Sequence, residues 1–258
     1  MTSAGPLAHR GILLTRPSHQ AAPLAEMIRA AGGRPILFPV IEIAEIDDTR
    51  ALNELIDRLD QFDRAIFVSP NAVYKAMTLI KARRALPSRL TYAAVGRGSV
   101  RELGKFGVSD VVAPARFDSE ALLALPEFAE VAGQRVAIFR GVGGRDQLGE
   151  ALAARGAHVE YGECYRRVRP RADPSPLLEA WRANALDAVT VTSSEGVHNF
   201  CALVGESGRA WLAQTPLFVP HARIAATARE LKLTAVVQTA QGDEGLLAGL
   251  QQWFAAHA

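Results

Sequence analysis

A chain of 258 residues, with 29 basic against 27 acidic side chains and 49% hydrophobic residues, has the profile of one large or two ordinary globular domains. The near balance of charge excludes a protein built mainly to hold nucleic acid, and no apolar run approaches the roughly 18 residues that span a bilayer. The first ten residues lack the apolar centre of a signal peptide, and two cysteines, Cys164 and Cys201, cannot form a disulfide framework, so a cytoplasmic location is expected.

Short apolar runs alternate with helical patterns along the whole chain. Residues 12–15 read as a strand, 18–31 as a helix closed by Gly32 and Gly33, and 34–38 as a second strand. Further strands are expected at 65–68, 92–95, 135–139, 159–161, 188–192, 216–219 and 235–238. Helical stretches fall between them, including 71–83, 99–106, 145–154, 195–204 and 223–231. Continuous apolar strands that alternate with helices bury both faces of a parallel sheet, so the class is α/β.

A shift of 124 residues lays the chain on itself. The segment Gly11-Ile12-Leu13-Leu14-Thr15-Arg16 falls on Arg135-Val136-Ala137-Ile138-Phe139-Arg140, and Gly32 falls on Gly156. Asp63-Arg64-Ala65-Ile66-Phe67-Val68-Ser69 falls on Asp187-Ala188-Val189-Thr190-Val191-Thr192-Ser193. The same shift carries Val95 to Val219 and Ser119-Glu120-Ala121-Leu122-Leu123 to Asp243-Glu244-Gly245-Leu246-Leu247. The period is too long for a solenoid and indicates two similar domains. Pro39 and the proline-rich stretch 169–176 both follow the second strand of their repeat. If the chain leaves a domain at the first point and returns at the second, residues 1–39 with 172–258 form one domain and 40–171 the other, connector included.

In sheets of this class, ligands sit beyond the C-terminal strand ends, near helix N-termini. The residues there are Thr15 and Arg16, Ser69 and Asn71, Gly96, Arg140 and Gly141, Ser193 and Ser194, and His221. Small and hydroxylated residues leave backbone N–H groups open to anions, although each Ser or Asn could equally be an ordinary helix cap. Gly141-Val142-Gly143-Gly144 lacks the spacing of either nucleotide-binding loop and reads as a strand-to-helix turn. The six histidines are scattered and the cysteines have no local activator, so neither metal nor cofactor is expected. Only four of the 29 basic residues are lysines, and some of the arginines could fork onto carboxylates. Tyr165 lies at the proposed crossing between domains. Its hydroxyl could donate a proton at neutral pH, while the plain alternative is an aromatic packed between domains.

Five segments, in this order and spacing, resemble the uroporphyrinogen-III synthase family. They are Leu14-Thr15-Arg16-Pro17, Phe38-Pro39-Val40-Ile41-Glu42-Ile43, Phe67-Val68-Ser69-Pro70-Asn71-Ala72-Val73, Ala94-Val95-Gly96 and Glu163-Cys164-Tyr165-Arg166-Arg167. The resemblance implies two flavodoxin-like parallel-sheet domains joined by a two-stranded connector, one of them discontinuous. It also implies a cofactor-free lyase that cyclises hydroxymethylbilane to uroporphyrinogen III, inverting ring D through a spiro intermediate. Tyr165 matches the tyrosine thought to help the hydroxyl depart, and backbone amides with a few arginines suit the eight substrate carboxylates. Hydroxymethylbilane synthase becomes the candidate donor of the substrate; nucleic acid and membrane are not expected partners, and a monomer is expected.

The chain departs from the resemblance at one point. Many members carry Gly-Pro-Thr-Thr where this one has His221-Ala222-Arg223-Ile224, so His221 or Arg223 would have to replace a hydroxyl contact. A non-catalytic two-domain binder of a small anion, or a nucleotide-sugar transferase, would share the two-domain pattern. Product formation separates them from a synthase.

Overall fold

The computed structural model describes residues 5–116 and 118–257. The chain begins with β1 (Gly11–Leu14), α1 (Ser18–Ala30), β2 (Arg34–Leu37) and β3 (Glu42–Ala44). It continues through α2 (Arg50–Asp57), β4 (Arg64–Phe67), α3 (Pro70–Arg83), β5 (Thr91–Ala94), α4 (Arg97–Lys105) and β6 (Val111–Val112). Next come α5 (Ser119–Leu123), β7 (Arg135–Gly141), α6 (Gln147–Ala154), β8 (His158–Val168) and α7 (Ser175–Arg182). The last elements are β9 (Ala188–Thr190), α8 (Ser194–Gln214), β10 (Leu217–Val219), α9 (Ala222–Glu230), β11 (Val236–Gln238) and α10 (Gly242–Ala256).

These elements form two compact units, Met1–Glu42 with Val168–Ala258, and Ile43–Arg167. The first holds a parallel sheet in the order β11-β10-β9-β1-β2. The second holds β8-β7-β4-β5-β6, also parallel, with β3 hydrogen-bonded along the outer side of β8. Numbered by the repeat, both sheets run 2-1-3-4-5, which is the flavodoxin-like order. In each sheet, strands 1 and 2 come from one repeat and strands 3 to 5 from the other. One domain is therefore discontinuous, and β3 with β8 forms the two-stranded connector.

The offset of 124 is kept to the residue at β1 and β7, β2 and β8, β4 and β9, and α3 and α8. Gly32 and Gly156 each close a helix at φ +86, a left-handed geometry that a Cβ would strain. The strands are short and almost wholly apolar because helices cover both faces. Ile12, Leu13 and Leu14 are buried in the first unit, and Ala65, Ile66 and Phe67 in the second. Phe67 and Phe139 stack across β4 and β7 with centroids 4.9 Å apart. Ser69 and Ser193 start α3 and α8 by accepting the N–H groups of Ala72 and Gly196.

Three departures from the expected elements have local causes. β8 runs seven residues beyond Tyr161, because β3 gives it a second partner where the sheet proper ends. The stretch 169–176 is only partly linker, since Pro174 and Pro176 fit the first turn of α7, where no intrahelical N–H is lost. The helix expected to end at Val204 continues to Gln214 across a break at Gly205, whose φ of +62 is not helical.

Candidate active site

The parallel register sets the candidate residues of the second unit in a row. Phe67 aligns with Ala94 on one side and Phe139 on the other. Two residues further along each strand stand Ser69, Gly96 and Gly141. Gly141 in turn pairs with Tyr165 across an irregularity in β8. The C-terminal edge of this sheet thus gathers Ser69, Gly96, Gly141 and Tyr165, with Asn71 in the first turn of α3.

Tyr165 is completely buried. Its hydroxyl lies 3.0 Å from the Ser69 Oγ and accepts a hydrogen bond from Arg167 Nη2 at 3.3 Å. Arg167 is exposed, so the buried hydroxyl is bonded directly to a side chain that reaches solvent. The ring is held by close approach of backbone. A Cβ on Gly141 would stand 2.7 Å from it, and the Tyr165 carbonyl accepts from the Val142 N–H at 2.8 Å. Glycine at 141 is therefore a packing requirement of the tyrosine. Cys164, on the opposite face of the strand, donates to backbone carbonyls, and burial pushes its thiol up to about 12. It is inert as a nucleophile at neutral pH.

Arg140 is committed to its own loop. Its guanidinium lies 3.8 Å over the Tyr161 ring, pairs with Asp146 at 2.6 Å and Glu163 at 3.2 Å, and donates to the Gly144 carbonyl at 3.1 Å. Burial acts to lower its pKa, but the Asp146 and Glu163 carboxylates outweigh that and raise it. The Nε is buried without a partner. Two carboxylates already face this cation, so what it presents to a ligand is an ordered loop of backbone, residues 141–146.

The first unit makes its own row beyond β1, β9 and β10. Thr15 is buried and donates to the Thr190 carbonyl at 2.8 Å, while Thr190 donates back to the Leu13 carbonyl at 3.1 Å. Arg16 is ion-paired with Asp243 in the first turn of α10. Ser193 caps α8, and the Ser194 hydroxyl accepts from Thr227 at 3.0 Å. His221 is the N-cap residue of α9 without a capping bond, and it and Arg223 are exposed.

Arg167, Thr227 and Asp243 belong to these rows and were not among the expected site residues. Arg167 carried a readable signal, because residues two apart in a strand share a face and it follows Tyr165 by two. Nothing local announced Asp243 or Thr227, which reach their partners from sequence-distant helices. Among the described residues, no cluster of three His, Cys, Asp or Glu side chains has the arrangement of a metal site, and no helix is long and apolar enough to cross a membrane.

The chain has clear relatives. A family model described as uroporphyrinogen-III synthase HemD matches residues 22–248. The uroporphyrinogen-III synthase of Salmonella typhimurium is 35% identical over 223 residues, which cover 85% of this chain and 91% of that protein. That of Synechococcus elongatus is 32% identical over 257 residues, 96% of this chain and 97% of its own. A crystal structure of a mutant uroporphyrinogen III synthase from Thermus thermophilus superposes with a TM-score of 0.61, covering 96% of this chain and 98% of that one. At 20% identity, that structure speaks for the fold alone.

Proposed function

The chain belongs to the uroporphyrinogen-III synthase family, and from that premise we propose that it is a lyase that cyclises hydroxymethylbilane to uroporphyrinogen III. The observation that carries this reading is the 35% identity extending over 91% of a relative of that name. The row of hydroxyl, glycyl and tyrosyl groups at the C-terminal edge of the second sheet supports it chemically.

Tyr165 acts as the general acid. Its proton goes to the terminal hydroxyl of the substrate, the C–O bond breaks with its electron pair on oxygen, and water leaves. The pyrrole nitrogen supplies the electrons and becomes part of an azafulvenium electrophile. The bridge-bearing carbon of ring D attacks it to give a spiro intermediate. Fragmentation and reclosure at the other α-carbon reverse the ring. Loss of the proton from that carbon restores the pyrrole and regenerates the tyrosine. Nothing in this sequence needs a protein nucleophile, in keeping with the inert Cys164. The substrate must instead be held folded, since unguided closure gives the symmetric isomer; orientation and electrostatics supply the catalysis.

Thr15, Arg16, Ser69, Asn71, Gly96, Arg140, Gly141, Ser193, Ser194 and His221 are the proposed contacts to substrate. For Thr15 and Arg140, whose side-chain polar groups are already engaged, the contact is through adjacent backbone N–H groups. The test uses freshly made hydroxymethylbilane, with oxidation of the product and isomer analysis. Type III above the spontaneous type I background is expected, and type I alone rejects the proposal in favour of a non-catalytic anion binder. Tyr165→Phe should lower kcat by about 10²- to 10⁴-fold, the range for loss of a positioned acid. Full turnover by that variant removes Tyr165 from the mechanism.

A further inference from the structure

We propose that Arg167 is a positioning residue for this reaction: it holds the Tyr165 hydroxyl in place and stabilises the oxygen left behind when the proton leaves. The inference rests on Tyr165 being the acid.

Arg166 and Arg167 are adjacent, so the strand turns them to opposite faces. Arg166 donates to the Glu45 carbonyl at 2.9 Å and pairs with Asp47 at 3.2 Å, which offsets its charge. Arg167 shares a face with Tyr165, and its guanidinium carbon lies 5.8 Å from the tyrosine ring centroid. Its hydrogen bond goes to the phenol oxygen, and among the described residues no carboxylate offsets it. Of the arginines on this edge, Arg140 is neutralised by two acids and Arg166 by one. Of the two β8 arginines, Arg167 is the one whose guanidinium bonds the phenol.

A guanidinium has five N–H donors and no acceptor, so Arg167 cannot receive the phenol hydrogen. Ser69 Oγ accepts the Ala72 N–H at 3.1 Å as the cap of α3 and lies 3.0 Å from the Tyr165 oxygen. In the proposed reaction the phenol proton goes to the departing hydroxyl of the substrate. When the proton crosses, the negative charge on the phenol oxygen meets a guanidinium N–H already in place. The proton released from ring D at the end returns to the same oxygen, so the cycle closes without another reactant. A donor that strengthens as charge develops lowers the barrier without tightening the ground state.

The experiment is a double-mutant cycle on Arg167→Met and Tyr165→Phe, with Arg167→Lys as the conservative variant, each read as kcat and KM for type III formation. Arg167 is exposed at a strand end, so folding should survive, and thermal unfolding checks it. Arg167→Met should lower kcat by about 10- to 100-fold, the scale of one hydrogen bond to a charged group, with KM changed less than about threefold. Arg167→Lys should recover part of the loss, because an ammonium restores the charge without the planar fork. In the Tyr165→Phe background, Arg167→Met should cost nothing further, within about twofold.

Losses that multiply in the double variant would show that Arg167 does not work through the phenol. An increase confined to KM would reassign it to a substrate carboxylate, and an unchanged kcat would remove it altogether; each overturns the inference. If Tyr165→Phe itself loses nothing, the acid assignment fails first, and that failure is read from a different variant.

Discussion

The two units end their first strand differently although their repeats are in register. In the first, β1 stops at Leu14 and α1 begins at Ser18, with Pro17 at the joint. In the second, β7 runs to Gly141 and α6 is delayed until Gln147. The offset places Arg140 on Arg16, Gly141 on Pro17, Ser69 on Ser193 and Tyr165 on Ile41. Both arginines are neutralised by acids and both serines cap helices. Only the second unit exchanges first-turn helix for an open glycine loop and sets a phenol beside it. The repeat thus supplies the scaffold twice, while the acid chemistry proposed for Tyr165 would rest on a few residues whose counterparts are apolar or cyclic.

The strongest way to break this contrast is at the glycine. In Gly141→Ala the new Cβ would meet the Tyr165 ring at 2.7 Å, and its neighbours are a packed core and the connector strand. Overpacking of this kind costs about 1–3 kcal/mol. Thermal unfolding should show the loss, and kcat should fall because the ring is displaced from Ser69. Unchanged stability with full activity would mean that the close approach of Gly141 does not hold the tyrosine.

A smaller effect separates scaffold from chemistry more cleanly. Ser69→Ala and Ser193→Ala each remove a cap from an equivalent helix, at about 1 kcal/mol apiece. Their stability losses should therefore agree. Their kinetics should not: only Ser69 touches Tyr165, so kcat should drop about tenfold in that variant, whereas loss of Ser193, a proposed substrate contact, should show in KM. Equal losses of kcat would show that the two rows contribute alike, and the asymmetry between the units would have to be abandoned.

Much of this contrast was already visible in residue order, and what was hidden follows a pattern. The central strands were legible because burial on both faces leaves nothing polar in Ile12-Leu13-Leu14 or Ala65-Ile66-Phe67. The repeat was legible because it places Gly32 and Gly156 where only glycine is comfortable. The tail of β8 was not, since the apolar pattern ends at Tyr161 and β3 supplies hydrogen bonds from elsewhere in the chain. The same cause hid the ion pairs. Arg16 finds Asp243 across more than two hundred residues, and no local pattern records such a meeting. Strand ends could be named as site candidates from the alternation alone. Which of their side chains were already engaged could not, and this decides that Arg140 serves its loop while Arg167 serves the tyrosine.

The smallest difference expected between the units is in their response to acid. In the second, Asp57 is held below the usual carboxylate range by Arg83, Asp60 by Arg84, and Glu160 by Arg58 and Arg135. In the first, the one comparable shift among the described residues is that of Asp173, lowered by the Ser175 backbone N–H. A carboxyl whose folded pKa is depressed stabilises the fold fully above its unfolded pKa, about 4, and loses that contribution as pH falls through the folded value. Acid should therefore weaken residues 43–167 ahead of the rest. These pairs are largely exposed, so each counts for little and added salt should narrow the gap. The chain carries its own reporters: Tyr74, Tyr92, Tyr161 and Tyr165 all lie in the second unit, and Trp181, Trp211 and Trp253 all lie in the first. In an acid titration the near-ultraviolet tyrosine signal should change at higher pH than selectively excited tryptophan emission. Tryptophan changing first would mean that the ion pairs of the second unit do not set its acid stability.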